Sequence, residues 1–262
     1  MAGYTGGQRI KPGRRPVGKV ALLVGVAAVI AVGSALLFPG CGAKPATSPP
    51  SGARDASNAA GGHIAQLAST GQHDATLAVV AGAATLTVTA AAIPGSLMRA
   101  STPGNSSVRP ELVSSPSRVQ MYLLTTGQRG PGAVSIELST AVAWQLQFSG
   151  GTSQSFLNLS NGQVAGIDFT AGSNLIQMTL PRPAGTATIT LAGGASQVDL
   201  TVPPGVAARL RLDAGASAAT LAGQTHNGLA RGTVLSSPGW AEAASRYDIV
   251  ATAGINNISV TG

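Results

Sequence analysis

Large aromatic side chains, charges and cysteine are all scarce in this sequence. Its 262 residues include only two Trp, three Tyr and four Phe, and charged residues make up 10%. A hydrophobic core built from such a chain must use small aliphatic side chains in regular layers, because it has few aromatic rings to serve as anchors. The single cysteine, Cys41, excludes an intramolecular disulfide.

Positive charge is concentrated at the N-terminus. The formal net charge is +7, and five of the basic residues lie in residues 1–19, which contain no acid. Beyond residue 19, eleven basic residues are nearly balanced by nine acidic ones, and no basic cluster is interleaved with aromatic residues. Because a nucleic-acid surface needs such a cluster, we expect no nucleic-acid partner.

An uncharged apolar run, VALLVGVAAVIAVGSALLF, follows at residues 20–38. A helix of nineteen residues spans roughly 28 Å, close to the ~30 Å hydrocarbon core of a bilayer. The run is longer than the apolar region of an ordinary signal peptide, and the basic residues before it favour a cytoplasmic N-terminus. The sequence therefore predicts a transmembrane helix or signal anchor, a cell-membrane location and an extracytoplasmic C-terminal part.

The only thiol lies just beyond this run, in LLFPGCGAKP. Its position resembles a bacterial lipoprotein cleavage site, where the cysteine becomes the lipidated N-terminus, although Phe38 and Pro39 depart from that pattern. Cys41 is therefore a candidate for lipidation, and the alternative is an uncleaved helix with a free juxtamembrane thiol. Either outcome keeps the protein at the outer face of a membrane.

The composition and residue pattern of the chain change twice more. Residues 39–74 are rich in Pro, Gly, Ser and Ala without an apolar period, which is typical of a flexible linker. Residues 75–262 alternate apolar and polar side chains, as half-buried strands do. This region holds six copies of the pattern φ-x-φ-x-[AG]-G-x-x-x-φ-x-φ (φ apolar), four of them spaced by 21 or 22 residues. The glycines of the pattern, which we call corner glycines, are Gly82, Gly151, Gly172, Gly194, Gly215 and Gly254.

Each corner glycine is expected to turn the chain between two strands. Glycine adopts a positive φ without steric penalty, and the Ala or Gly before it allows a tight turn. The residue two positions later is usually Ser or Asn, which can bond backbone groups that the turn leaves unpaired. The apolar pairs on either side are predicted to point inward and to stack on those of the next repeat.

A repeat of this size cannot bury its own apolar face and must stack on its neighbours. The sequence therefore predicts an all-β fold, a right-handed, β-helix-like solenoid of about 21-residue coils over residues 75–262. The alternative is an antiparallel sandwich or meander in which each corner glycine lies in a hairpin loop. Extra strands are expected at 119–124 and 134–138, within a non-repeating insertion.

A second interruption, residues 222–246, contains Trp240, and Tyr247 follows it. With Ala244 these residues have helical spacing, so we predict a short turn or helix that lays their rings over an open end of the solenoid. A binding site built on Trp240 and Tyr247 is the alternative interpretation.

The sequence offers no catalytic constellation. Asp168, Asp199 and Asp213 occupy three different phases of the repeat, whereas a glycan-cleaving β-helix needs clustered acids. His226 lies in a loop without a nucleophile-elbow sequence, and no phosphate loop, dinucleotide fingerprint or metal spacing occurs. We therefore expect no enzyme activity, no cofactor and no metal.

The corner repeat resembles the putative-adhesin, or toast-rack, β-solenoid domains of bacterial envelope proteins, and more distantly the LiaF-type cell-wall-stress proteins. The ending GWAEAASRYDIVATAGINNISV and the Arg-, Ala- and Gly-rich composition resemble actinobacterial members. The resemblance implies a membrane-attached domain without catalysis, whose partner is another envelope protein or a cell-wall component. A carbohydrate-active enzyme and a structural stalk are the alternative functions.

Overall fold

The computed structural model describes residues 54–55 and 62–262. These residues form twenty strands and no helix, so the all-β prediction is confirmed for this part of the chain. The strands are β1 (Arg54–Asp55), β2 (Gly62–Ala68), β3 (Asp74–Val79), β4 (Ala83–Ala91), β5 (Ser96–Pro103), β6 (Val108–Ser115), β7 (Arg118–Thr125), β8 (Ala133–Ser139), β9 (Ala143–Phe148), β10 (Thr152–Asn158), β11 (Gln163–Phe169), β12 (Ser173–Thr179), β13 (Thr186–Leu191), β14 (Ala195–Thr201), β15 (Ala207–Leu212), β16 (Ala216–Leu221), β17 (Gln224–Leu229), β18 (Thr233–Ser236), β19 (Arg246–Ala251) and β20 (Ile255–Thr261).

The strands form two mixed sheets. The large sheet has the order β1-β2-β5-β8-β4-β10-β12-β14-β20-β16-β17, and the small sheet has the order β18-β15-β19-β13-β11-β9-β3-β7-β6. Pairing is parallel from β8 to β16 and from β15 to β7, and antiparallel in the strands outside those limits.

Each copy of the repeat contributes one strand to each sheet. The chain runs along a small-sheet strand, turns at the corner glycine and continues along a large-sheet strand, as in β11 and β12 around Gly172. We call this strand–corner–strand segment a repeat unit. The two strands of a unit pair with the equivalent strands of other units and not with each other. This pairing excludes the alternative in which each corner glycine lies in a hairpin loop.

The units do not stack in chain order. The unit β19/β20 lies between β13/β14 and β15/β16, so the last repeat of the sequence inserts between two earlier ones. Similarly, β3 and β4 are flanked by β7 and β8 on one side and by β9 and β10 on the other. The sequence period led us to expect each repeat to stack on the next. The segment between β4 and β9 and the segment between β16 and β19 break that order.

The core lies between the two sheets. Every apolar residue at an inward position of the motif is at most 5% exposed, as the alternation predicts. Phe148 and Phe169 stack with their ring centroids 4.6 Å apart. Ser155, which takes an inward apolar slot, is fully buried, and its hydroxyl lies 2.7 Å from the Thr152 hydroxyl, which donates to Ser173 Oγ at 3.0 Å. The buried hydroxyl of Ser155 is therefore hydrogen-bonded, as buried polar groups normally are.

The folded region begins before the predicted start at residue 75. Strand β2 lies inside the stretch predicted as a flexible linker, and it pairs antiparallel with β5 of the insertion. Its two inward side chains, Ala65 and Leu67, are 2% and 4% exposed. The linker prediction was wrong here because two inward apolar side chains suffice when a partner strand supplies the rest of the contact. Strands β7 and β8 match the two strands predicted in the insertion.

Candidate functional site

The corner glycines form a continuous row where the chain passes from one sheet to the other. The backbone N–H groups just after Gly82, Gly151, Gly172 and Gly194 donate to the corner carbonyl of the neighbouring unit at 3.1–3.4 Å. These bonds join, in spatial order, Gly82, Gly151, Gly172, Gly194 and Gly254. Five of the six corners are therefore joined to one another by backbone hydrogen bonds, as the strands beside them are.

The reason for glycine at these corners differs from our expectation. Only Gly215 has a positive φ, of 85°, among the six corner glycines. At Gly82 and Gly172, close approach between neighbouring units leaves little room for a side chain. A Cβ added to Gly82 would lie 2.6 Å from the Gly151 carbonyl oxygen, and one added to Gly172 would lie 3.1 Å from that of Gly194. A Cβ on Gly151 or Gly194 would lie 3.4 Å from the nearest carbonyl oxygen, and one on Gly254 would meet no atom within 4 Å.

The position before the corner is more tightly packed still. A Cβ on Gly150 would lie 2.1 Å from the carbonyl carbon of Ala81, and a Cβ on Gly193 would lie 2.1 Å from the carbonyl oxygen of Ala171. At this position, glycine and alanine thus alternate along four neighbouring units. Glycine is needed in every second unit because its backbone lies directly against that of the alanine in the neighbouring unit.

A shallow groove runs beside this row across four neighbouring units, with a volume of about 500 Å³. One row of lining residues follows the corner glycines by two positions and consists of Ser153, Asn174, Ser196 and Asn256. The second row is aligned by the register of β10, β12, β14 and β20 and consists of Gln154, Leu175, Gln197 and Asn257. We call this feature the corner groove.

The polar side chains of the corner groove are exposed and uncharged. Among the side-chain hydrogen bonds within residues 62–262, one involves these side chains, from Gln197 Nε2 to Asp199 Oδ2 at 2.7 Å. Our prediction that the Ser and Asn residues would satisfy backbone groups of the turn was therefore wrong. These amides and hydroxyls point outward and keep their hydrogen-bonding capacity for water or a ligand.

An apolar spot interrupts the polar groove. Leu175 lies between Gln154 and Gln197 and is half-buried. Phe156, also half-buried, lies on the same outer face, one position diagonally from Leu175. Leu175 therefore lies inside the groove with amide side chains on both sides, and Phe156, which lies just outside the lining, completes a small apolar platform with it.

Trp240 and Tyr247 do not form the predicted end cap. Tyr247 lies on β19, between β13 and β15, and is fully buried in the core, where its hydroxyl donates to the Pro181 carbonyl at 2.7 Å. Burial raises the pKa of this hydroxyl above its usual range, which keeps it protonated as a donor. Trp240 lies in the turn between β18 and β19, and its Nε1 donates to the Tyr247 carbonyl at 3.0 Å.

Trp240 belongs instead to an arginine cluster beside the small sheet. The guanidinium carbons of Arg209 and Arg246 lie 3.7 and 4.5 Å from the centre of its ring. Arg209 also donates two hydrogen bonds to Asp248, at 3.0 and 2.8 Å, and Arg211 donates a third at 3.3 Å. These contacts fasten the turn to β15 and β19, which is a structural role.

Among the acids of residues 62–262, Asp248 is the one whose pKa is clearly shifted by its surroundings. Its side chain is 11% exposed, and the hydrogen bonds from Arg209 hold its pKa below the ordinary 3.8, with smaller contributions from the charges of Arg209 and Arg211. A lowered folded-state pKa stabilises the fold above the unfolded-state value and ceases to do so as pH falls through the folded-state value.

Replacing Asp248 by Asn should therefore cost about 2 kcal/mol of unfolding free energy at pH 7, since charged hydrogen bonds to two arginines are weakened. The difference from the unmodified protein should shrink below about pH 4, where Asp248 begins to be protonated in the unfolded state. Urea midpoints measured between pH 2 and 7 test this. Asp74→Asn, at an exposed strand start, is the matched control, and a difference that stays constant with pH contradicts the assignment.

The other residues considered for chemistry lie on separate elements. Asp168 is on β11 in the small sheet and accepts from Gln145 at 2.9 Å, whereas Asp199 is on β14 in the large sheet. Asp213 follows β15, and His226 is exposed on β17. Within residues 62–262 no three His, Cys, Asp or Glu residues converge as metal ligands would.

Several predictions fall on residues that the structure does not describe. They are the basic N-terminus 1–19, the span 20–38, the candidate lipidation site Cys41 and most of the linker 39–74. Over the described residues, no helix has the length and hydropathy that crossing a bilayer requires.

The fold resembles that of a solved bacterial protein. A "putative cell adhesion protein" from Clostridium sporogenes has a TM-score of 0.56 and 13% sequence identity, and the match covers 76% of this chain and 98% of that chain. A "putative adhesin" from Bacteroides fragilis has a TM-score of 0.27 and 7% identity, covering 75% of this chain and 96% of its own. No protein-family model and no curated protein matches the sequence. The first likeness supports the predicted adhesin-like fold, while a LiaF-type relationship and an actinobacterial origin stay predictions.

Proposed function

We propose that this chain is a non-catalytic, membrane-anchored protein of the cell envelope, whose repeat domain is a right-handed β-solenoid that binds another envelope component. The proposal rests on the corner groove, in which exposed amides and hydroxyls are repeated across four units. Among its side chains, only that of Gln197 forms a hydrogen bond within residues 62–262. A surface of this kind suits recognition.

The arrangement of acids favours a binding module over a glycan-cleaving enzyme. Hydrolysis of a glycosidic bond needs two carboxyl groups that flank the scissile bond, at a separation of about 5–10 Å. Asp168 and Asp199 extend from strands of different sheets, and the residues lining the corner groove include no acid. The apolar run 20–38 supplies the proposed anchor, with Cys41 as the site of an alternative lipid attachment.

The anchoring part of the proposal predicts where the full chain is found in a bacterial cell. The chain should be recovered in the membrane fraction and should be degraded when protease is added to intact spheroplasts, because its C-terminal domain lies outside. A variant that lacks residues 20–38 should be soluble in the cytosol and protected. Recovery of the full chain as a protected cytosolic protein contradicts the proposal, and mass spectrometry of the mature N-terminus determines whether Cys41 carries lipid.

A further inference from the structure

We propose that the corner groove binds a neutral polysaccharide strand laid along the stacking direction of the units. This inference rests on the proposed role as an envelope binding module, and it adds the chemical class of the ligand. It is argued from the periodicity, charge, backbone pairing and apolar platform of the groove.

The groove presents similar hydrogen-bonding groups at a regular spacing. Neighbouring parallel strands are about 4.8 Å apart, so equivalent side chains of adjacent units repeat at that distance. Asn174 and Asn256 lie in the row nearest the corners, and Gln154, Gln197 and Asn257 lie in the second row. A polymer of repeated identical units can therefore make a similar contact several times, which raises its affinity without any single strong contact.

The charge of the groove selects an uncharged ligand. None of the eight lining residues is basic or acidic, so the lining offers no arginine or lysine to hold a phosphate or carboxylate. The adjacent acid, Asp199, already accepts a hydrogen bond from Gln197 Nε2. Amide side chains both donate and accept, which matches sugar hydroxyls because each hydroxyl also does both.

The backbone of the groove disfavours a peptide ligand. An extended peptide usually binds a sheet by pairing with the free backbone groups of an edge strand. Strands β10, β12, β14 and β20 are each paired on both sides, so they offer no such edge. A ligand of the corner groove must therefore bond to side chains.

The apolar platform gives the ligand a face to rest on. A pyranose ring has hydroxyls around its rim and C–H groups on its faces, and burial of apolar surface is favourable. Leu175 provides half-buried apolar surface between Gln154 and Gln197, and Phe156, two residues after Gln154 on β10, extends that surface along the outer face. The amides can then reach the hydroxyls at the rim while the ring covers the platform.

The test uses the purified full chain and three probes: maltohexaose, chitohexaose and the acidic polymer polygalacturonate. Saturation-transfer NMR should show transfer to the protons of at least one neutral oligosaccharide, and titration calorimetry should give its affinity. The double variant Gln154→Ala with Asn174→Ala should lose about tenfold or more in affinity, since it removes two amide contacts. Gln224→Ala with Asn227→Ala, which changes exposed residues of the same types on β17, should leave the affinity unchanged.

Three results overturn the inference: neither neutral oligosaccharide binds at millimolar concentration, the groove variant binds as well as the control, or polygalacturonate binds more tightly than both. These failures are distinct from failure of the proposed function. If the chain is membrane-bound and protease-accessible but binds no sugar, the envelope role stands and the proposed ligand is wrong. If the chain is cytosolic, the envelope role is wrong whatever the titration shows.

Discussion

Replacing Gly193 by alanine is expected to lower the free energy of unfolding by about 3 kcal/mol. The added methyl group would lie 2.1 Å from the Ala171 carbonyl oxygen and 2.6 Å from the Gly172 backbone nitrogen. Both contacts are with backbone atoms of the neighbouring unit, which cannot move away as a flexible side chain would. Relief requires the two units to separate, which lengthens corner hydrogen bonds on either side. Urea unfolding of the full chain, followed by circular dichroism, measures the effect.

Gly254 provides the matched control for this prediction. It occupies the corner of β19/β20, yet a Cβ there would meet no atom within 4 Å. Gly254→Ala should therefore leave stability unchanged or raise it by up to about 1 kcal/mol, because alanine restricts the unfolded chain. If both variants are equally destabilised, the corners require glycine for its backbone freedom, and the close-approach explanation is wrong.

Replacing Phe148 by alanine is expected to cost about 3–5 kcal/mol. The ring is 2% exposed and stacks on Phe169 with an angle of 24° between the ring planes. The surrounding core can collapse only partly into the vacated space, so the variant should retain a cavity. Loss of the stacked pair adds about 1 kcal/mol to the loss of apolar burial.

Phe156→Ala is the control for the core prediction, since it deletes the same ring from the outer face of the large sheet. Its half-buried position predicts a cost of about 1 kcal/mol or less. Thermal melts and urea midpoints of the two variants should therefore differ clearly. Similar losses would mean that the inward and outward faces of these strands have been assigned incorrectly.

The strands and their inward faces could be predicted because the information is local. Alternation in a stretch such as IDFTAGSNLIQMTL determines that Ile167, Phe169, Ile176 and Met178 lie on one side of their strands, and all four are buried. Strand type and face depend on the period of two between side chains, which needs no knowledge of the neighbour.

The order of the units could not be predicted, because local sequence does not determine which unit stacks on which. Each repeat offers its neighbour a similar pair of apolar side chains, so Ile189 and Leu191 on β13 can pack on β15 as readily as on β19. The choice depends on the length and path of the segment between β16 and β19. That segment also places Trp240 against Arg209 and Arg246, a contact that its sequence spacing to Tyr247 did not indicate.

The corner groove escaped prediction because its residues have two physical uses. Ser and Asn after a corner glycine are good turn residues, and their identity alone does not show whether the side chain folds back on the turn or points to solvent. Their position on adjacent units became meaningful only when the register of β10, β12, β14 and β20 aligned Gln154 with Gln197 and Asn257. The spacing of 21 and 22 residues between Gly151, Gly172 and Gly194 was a signal for three of the four units, but it gave no indication that the unit of Gly254 would be the fourth.

The insertion of β19/β20 between two earlier units has a consequence for the timing of assembly during synthesis. A nascent chain that has emerged only as far as β18 contains β13 and β15, but lacks the strand that both of them pair with. The same holds for β14 and β16, which both await β20. The unit β15/β16 can therefore take its native place in the stack only after β19 and β20 have been made, and any earlier packing of β15 on β13 has to open again to admit them.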